Sequence, residues 1–173
     1  MDWRNVFCGK EKDLKKLRLY LETSVWNFLF ADDAPYKKEA TEKLFSEIEQ
    51  GEYSIFISDI VLREINNASD LKRKKLVDKI VKYSPVALDE DAEVANLVQY
   101  YLENGLLTEK QSADISHLSV ATVNDIDVLV SWNMRHIVKR KTKILVNALN
   151  QIRGYRPNEI CTPEEVIDYD TDE

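Results

Sequence analysis

Short apolar runs alternate along this chain with longer stretches in which apolar residues recur every three or four positions, the order expected of strands separated by helices in a parallel sheet. Leu17–Leu21 and Tyr53–Ile57, rich in aliphatic, β-branched and aromatic residues, predict the first two strands. Between them Pro35 opens a helix to Gln50, which Gly51 stops. Ile60–Asn67 and Leu71–Lys82 predict two more helices, Pro85–Leu88 a short strand, and Asp89–Asn104 a helix with an aspartate cap and Gly105 at its end. Thr108 with Gln111 has the spacing of a capping box for a helix to about Val123, broken by Asn124. Asp127–Ser131 predicts another strand, and a long helix through Ile144–Ile152 ends at Gly154. Glu159–Cys161 and the following Thr-Pro-Glu-Glu predict a last short strand and a capped helical turn. The fold class expected is α/β, with a central parallel sheet of four or five strands. Residues 17–169 form one domain, with 1–16 an N-terminal extension and 170–173 a loosely held tail.

Against this pattern, four polar residues stand where the period calls for burial or a strand ends. Glu22 follows Leu19, Tyr20 and Leu21, at the carboxyl end of the first strand; the competing reading is that it caps a helix starting near Val25. Glu64 falls beside the apolar stripe set by Ile60 and Val61, which suits either a metal or a buried ion pair but not a solvated face. Asp114 sits near the start of its helix with Leu118 and Ala121 on its own face, where the helix dipole favours an ionised carboxylate. Asn133 closes the strand that begins at Asp127. An unpaired charge in such places costs several kcal/mol, so these acids require partners. Thr23, Ser24 and Ser131 offer hydroxyls that can orient carboxylates, although ordinary turn chemistry explains them equally well. His117 reads as a hydrogen-bonded core residue rather than a ligand, and Asp125 and Asp127 belong to the turn before their strand. Three carboxylates, Glu22, Glu64 and Asp114, form an oxygen donor set that selects a hard ion, Mg²⁺ or Mn²⁺, over zinc.

Composition narrows the function classes. A net charge of −7 argues against a general phosphate binder. Lys72, Arg73, Lys74, Lys75, Lys79 and Lys82 read as a solvated helix face. Arg135, Lys139 and Arg140 instead follow the strand end that carries Asn133, and an i to i+4 spacing on a helix would aim Arg135 and Lys139 at the same crevice. Cys8 and Cys161 lie far apart without metal-site spacing, which points to a reducing, cytoplasmic setting. No apolar run approaches membrane-spanning length and the polar start is no signal peptide, so a chain free of membranes is expected. Trp26, Phe28, Leu29 and Phe30 form an apolar patch that belongs in the core or on a dimer face.

Four local words carry a family resemblance: Leu-Glu-Thr-Ser-Val at 21–25, Ile-Ser-Asp-Ile-Val-Leu-Arg-Glu-Ile at 57–65, Asp-Ile-Ser-His-Leu-Ser-Val-Ala at 114–121 and Leu-Val-Ser-Trp-Asn-Met-Arg-His-Ile at 129–137. In this order, from about Leu17 to Ile167, they resemble the PIN-domain nucleases, among them the single-domain toxin-like (VapC-type) ribonucleases. The resemblance implies a three-layer α/β/α fold and metal-dependent endonucleolytic cleavage of RNA that leaves 5′-phosphate and 3′-hydroxyl ends. It implies that Glu22, Glu64 and Asp114 hold the ion and that Asn133 completes the catalytic set, with Arg135, Lys139 and Arg140 as an RNA track. An antitoxin protein and a homodimer are the partners it implies. The chain departs from the family by having Glu22 where Asp is usual and Asn133 where many relatives carry a fourth acid. Both changes favour the alternative of a catalytically weak PIN-like domain that acts as a binding or assembly module. A haloacid-dehalogenase type phosphotransferase would need a second aspartate where Ser24 stands.

Overall fold

Strands β1 (Leu17–Leu21), β2 (Tyr53–Ser58), β3 (Val86–Leu88), β4 (Val128–Val130) and β5 (Glu159–Cys161) lie in the order β3-β2-β1-β4-β5. Every neighbouring pair is parallel. The computed structural model describes residues 16–167, so the expected tail at 170–173 and nearly all of the expected N-terminal extension, Cys8 included, lie outside the described residues. The helices are α1 (Thr23–Phe28), α2 (Pro35–Glu49), α3 (Asp59–Asn66), α4 (Asp70–Tyr83), α5 (Ala92–Glu103), α6 (Ser112–Val123), α7 (Arg140–Arg153) and α8 (Pro163–Val166). Together they make the three-layer α/β/α architecture expected, with five strands in the sheet.

The central position of β1 follows from its sequence. Leu19, Tyr20 and Leu21 point alternately to the two sheet faces and all three are buried, which requires cover on both sides. Its neighbours leave in opposite directions, β2 and β3 on one side and β4 and β5 on the other, so the carboxyl end of β1 is the topological switch point where open α/β sheets form their crevice. Pairing continues one residue beyond the strand, the Glu22 amide donating to the Val130 carbonyl at 3.1 Å. The backbone therefore fixes Glu22 at the mouth of that crevice.

Local signals set the helix ends. Asp91 accepts from the Val94 amide at 2.9 Å to start α5, and Thr162 with Glu165 forms a capping box on α8. Thr108 and Gln111 form the expected capping box, but on a 3₁₀ turn at Glu109–Gln111 that leads into α6. Gly154 ends α7 with φ 78°, a left-handed conformation that suits glycine.

Two local expectations change. Thr23 and Ser24 are not a free turn but the first residues of α1. Residues 134–138 form turns and α7 begins only at Arg140, so Arg135 and Lys139 share no helical face. The Asn133 side chain and carbonyl, by accepting from the His136 and Val138 amides, fold this stretch back on itself instead of letting the helix start early. Of the two places expected for the apolar patch after Glu22, the core takes Trp26 and Leu29, Trp26 meeting Phe45 edge-on at 5.1 Å, while Phe28 and Phe30 are partly covered. No helix among the described residues is long and apolar enough to cross a membrane.

Candidate functional site

Glu22 is the N-cap residue of α1 by position, yet its side chain makes no capping hydrogen bond. Instead its Oε2 accepts from the Ser131 hydroxyl at 2.8 Å and from the Ser24 hydroxyl. The carboxylate is thus turned from its own helix toward the end of β4, and it is 6% exposed. Ser24 is held in turn by the Trp132 amide, which donates to its Oγ at 2.8 Å, and Ser131 by the Asn133 amide at 2.9 Å. The two serines thereby tie the carboxyl ends of β1 and β4 around one carboxylate.

Glu64 arrives from the other side on α3, whose apolar face buries Ile60, Val61 and Ile65 against the core. Its Oε2 accepts from the Thr23 hydroxyl and lies 3.1 Å from His117 Nε2. Arg63, its sequence neighbour, pairs with Glu90 at 2.5 Å, as the divergence of adjacent helical side chains requires. Burial alone would raise the Glu64 carboxyl, but the His117 hydrogen bond and charge, aided by the Thr23 hydroxyl, hold it below the usual carboxylate range.

His117 on α6 is buried, and its ring joins three elements. Nδ1 is 2.7 Å from the Tyr20 hydroxyl on β1, which is itself 2.6 Å from Ser58 Oγ at the end of β2. Nε2 faces both glutamates, 3.1 Å from Glu64 Oε2 and 3.9 Å from Glu22 Oε1. Burial works against the charged imidazole, yet the Glu64 hydrogen bond and the charges of Glu22, Glu64 and Asp114 outweigh it and raise the ring above its ordinary value. His117 is the hydrogen-bonded core residue expected from sequence, and its position between two carboxylates is what the sequence did not show.

Asp114 and Asn133 occupy the same crevice one step removed. Asn133 Nδ2 donates to Asp114 Oδ1 at 2.8 Å, and Asn133 reaches Glu22 through Ser131. Burial, reinforced by Glu22 and Glu64, raises the Asp114 carboxyl against the opposing pull of His136 and His117. His136 thus belongs to the electrostatic surroundings of the site, a role its sequence position after a strand end did not reveal. Arg135, Lys139 and Arg140 are exposed just beyond. Asp125 and Asp127 lie at the opposite strand end, as expected, where Asp127 accepts from the Arg18 amide at 2.8 Å and pairs with Arg156 at 3.1 Å.

The donor atoms of Glu22, Glu64 and His117 all lie within 4.8 Å of one another, so these three form a group able to hold a metal ion. Two ligands about 2.0–2.3 Å from one ion stand at most roughly 4.5 Å apart, so only small side-chain movements separate this arrangement from a coordination sphere. Cys161 lies outside this group, and burial, with Glu159 and Glu165 nearby, pushes its thiol up to about 12.

No protein-family model and no curated protein sequence matches the chain. Its fold is similar to a chain in the crystal structure of VapBC2 from Rickettsia felis bound to a DNA fragment from their promoter, with a TM-score of 0.52 and 15% identity over 84% of this chain and 98% of that one. At that identity the likeness shows a shared α/β fold and no more.

Proposed function

We propose that this chain is a divalent-metal-dependent endoribonuclease, with Glu22, Glu64 and Asp114 as the acids of the metal centre and Asn133 completing the catalytic set. The observation that carries this reading is the meeting of Glu22, Glu64 and His117 within 4.8 Å at the switch point of a parallel sheet, with the Asp114–Asn133 pair joined to it through Ser131. Two glutamates fixed this close repel one another, and a divalent cation relieves that repulsion more fully than one imidazolium. The oxygen-rich donor set fits Mg²⁺ or Mn²⁺. When bound, such an ion supplies polarisation of a phosphate oxygen and acidifies water near neutral pH.

The chain's own residues would do the rest. Ser24 and Ser131 fix the Glu22 carboxylate, and Thr23 fixes Glu64, so neither must reorganise as charge develops. Asn133 holds the Asp114 carboxylate at the rim, where it can accept a proton from water. Arg135, Lys139 and Arg140 stand exposed beside that rim and would hold RNA phosphates. The partners proposed are RNA, a second copy of the chain and an antitoxin protein in the cytoplasm. The VapBC2 neighbour, a complex bound to promoter DNA, supports the antitoxin.

Purified protein should cut single-stranded RNA in the presence of Mg²⁺ or Mn²⁺ and not in EDTA, leaving 5′-phosphate ends. Glu64→Gln should lower the rate by about 10² or more, as expected for loss of a group that acts on the reacting centre. Equal cleavage by wild type and Glu64→Gln would assign the activity to a contaminant. RNA binding without metal-dependent cleavage would favour the binding or assembly module, the reading that Glu22 and Asn133 motivate.

A further inference from the structure

Resting on that metal reading, we propose that His117 is itself a metal ligand through Nε2, that its nitrogen makes the centre prefer Mn²⁺ to Mg²⁺, and that Tyr20 and Ser58 are the positioning residues that hold the ring for this. An acid-only centre would place Asp114 as the third donor, but among the described residues the donor atoms that lie within 4.8 Å of one another come from Glu22, Glu64 and His117, while Asp114 pairs with the Asn133 amide at 2.8 Å. The donor nearest both glutamates is the imidazole: Nε2 stands 3.1 Å from Glu64 Oε2 and 3.9 Å from Glu22 Oε1.

The two oxygens of Glu22 are used differently. Both serine hydroxyls go to Oε2, while Oε1 is aimed at the ring from beyond hydrogen-bond length. A carboxylate that is 6% exposed, with one oxygen satisfied and the other directed at a ring nitrogen and a second carboxylate, is arranged for a cation between them.

Tyr20 holds the Nδ1 side of the ring. Its hydroxyl lies 2.7 Å from Nδ1 and 2.6 Å from Ser58 Oγ, so with the ion bound it would accept from Nδ1–H and donate to Ser58, while the Nε2 edge, which gives up its proton to the ion, faces the carboxylates. This is the outer hydrogen bond that ligating histidines make, fixing tautomer and ring plane. Both partners sit in the sheet, Tyr20 on β1 and Ser58 ending β2, so the ring is anchored to two paired strands.

The choice of ion follows from the nitrogen. Mg²⁺ demands oxygen ligands in near-ideal octahedral geometry, whereas imidazole is a better donor to first-row transition ions, and two carboxylates keep Mn²⁺ within range.

Pulsed EPR of Mn²⁺ bound to the full chain tests this without any assay of activity. Wild type should show coupling to a histidine nitrogen that changes on ¹⁵N-histidine labelling, and a tenfold excess of Mg²⁺ should leave most of the Mn²⁺ bound. His117→Gln should lose the coupling and the ion preference together. Should that variant not fold, Tyr20→Phe keeps the ligand: it should retain the coupling and bind Mn²⁺ about 10- to 100-fold more weakly. Mn²⁺ bound with no nitrogen coupling, or displaced by equimolar Mg²⁺, would overturn the proposal and leave an acid-only centre standing. No Mn²⁺ binding at all would overturn the metal reading beneath it.

Discussion

Asp114 is the residue whose environment and expected role pull hardest in opposite directions. Its carboxyl is raised by burial, with the Glu22 and Glu64 charges adding to that effect. A raised aspartate contributes stability that is fully present below the ordinary aspartate range and is lost as pH rises through the folded value. In EDTA, Asp114→Asn should therefore melt higher than wild type at neutral pH, and the difference should vanish toward pH 3. Calorimetry across that range checks both ends, and a variant less stable at neutral pH would show that the Asn133 pairing outweighs the repulsion. Ser131 makes the complementary case. Ser131→Ala removes a donor from buried Glu22 and an acceptor from the Asn133 amide, which should cost on the order of 1–3 kcal/mol by denaturant unfolding. The four polar residues at Glu22, Glu64, Asp114 and Asn133 were visible in sequence because each breaks a local hydrophobic pattern. His117 was visible only as a hydrogen-bonded core residue, and Tyr20 and Ser58 not at all, because each fits its own pattern: a histidine on a partly apolar helix, a tyrosine in a strand and a serine before a helix. Their meaning lies in a relation between residues 38 and 97 positions apart.

Elements were predicted well where period and cap agreed, and less well where a short segment had neither. β1, β2 and β5, the body of α2 and the end of α7 match the hydrophobic runs and the glycine stops. α1 is six residues long, too short for a 3.6-residue period to register, and it follows its strand with no intervening turn. The 134–138 turns are imposed by Asn133, whose side chain faces Asp114 on one side and the His136 amide on the other. No sequence period reports such a tertiary bond. The capping box of Thr108 and Gln111 provides an element-scale test, since it secures the approach to α6, which carries both Asp114 and His117. Thr108→Ala should cost about 1 kcal/mol of stability. Because His117 is anchored by Tyr20 and Glu64 rather than by the cap, the rise in melting temperature caused by Mn²⁺ should survive. Loss of that rise would show that the start of α6 sets the metal site.

At the scale of the whole molecule, the proposed RNA substrate has to be reconciled with a net charge of −7. Nonspecific attraction is weak for such a surface, so productive binding needs a confined basic track beside the acids. The basic run on α4 starts from the helix that follows α3, whereas Arg135, Lys139 and Arg140 stand exposed where β4 and Asn133 leave the sheet, next to the crevice itself. The turns at 134–138 present Arg135 and Lys139 from separate parts of a folded loop, so each should meet its own phosphate rather than share one. Changing both to Ala should weaken single-stranded RNA binding and flatten the slope of log affinity against log salt by about 1.4, two contacts at roughly 0.7 each. Melting temperature and Mn²⁺ response should stay unchanged, because the side chains of Glu22, Glu64 and His117 are held by Ser24, Ser131, Thr23, Tyr20 and one another. At saturating RNA the double variant should cleave far better than Glu64→Gln, since position is lost while the acids remain. An unchanged salt slope would remove this loop from the RNA path and leave the lysines of α4 as the next track to test.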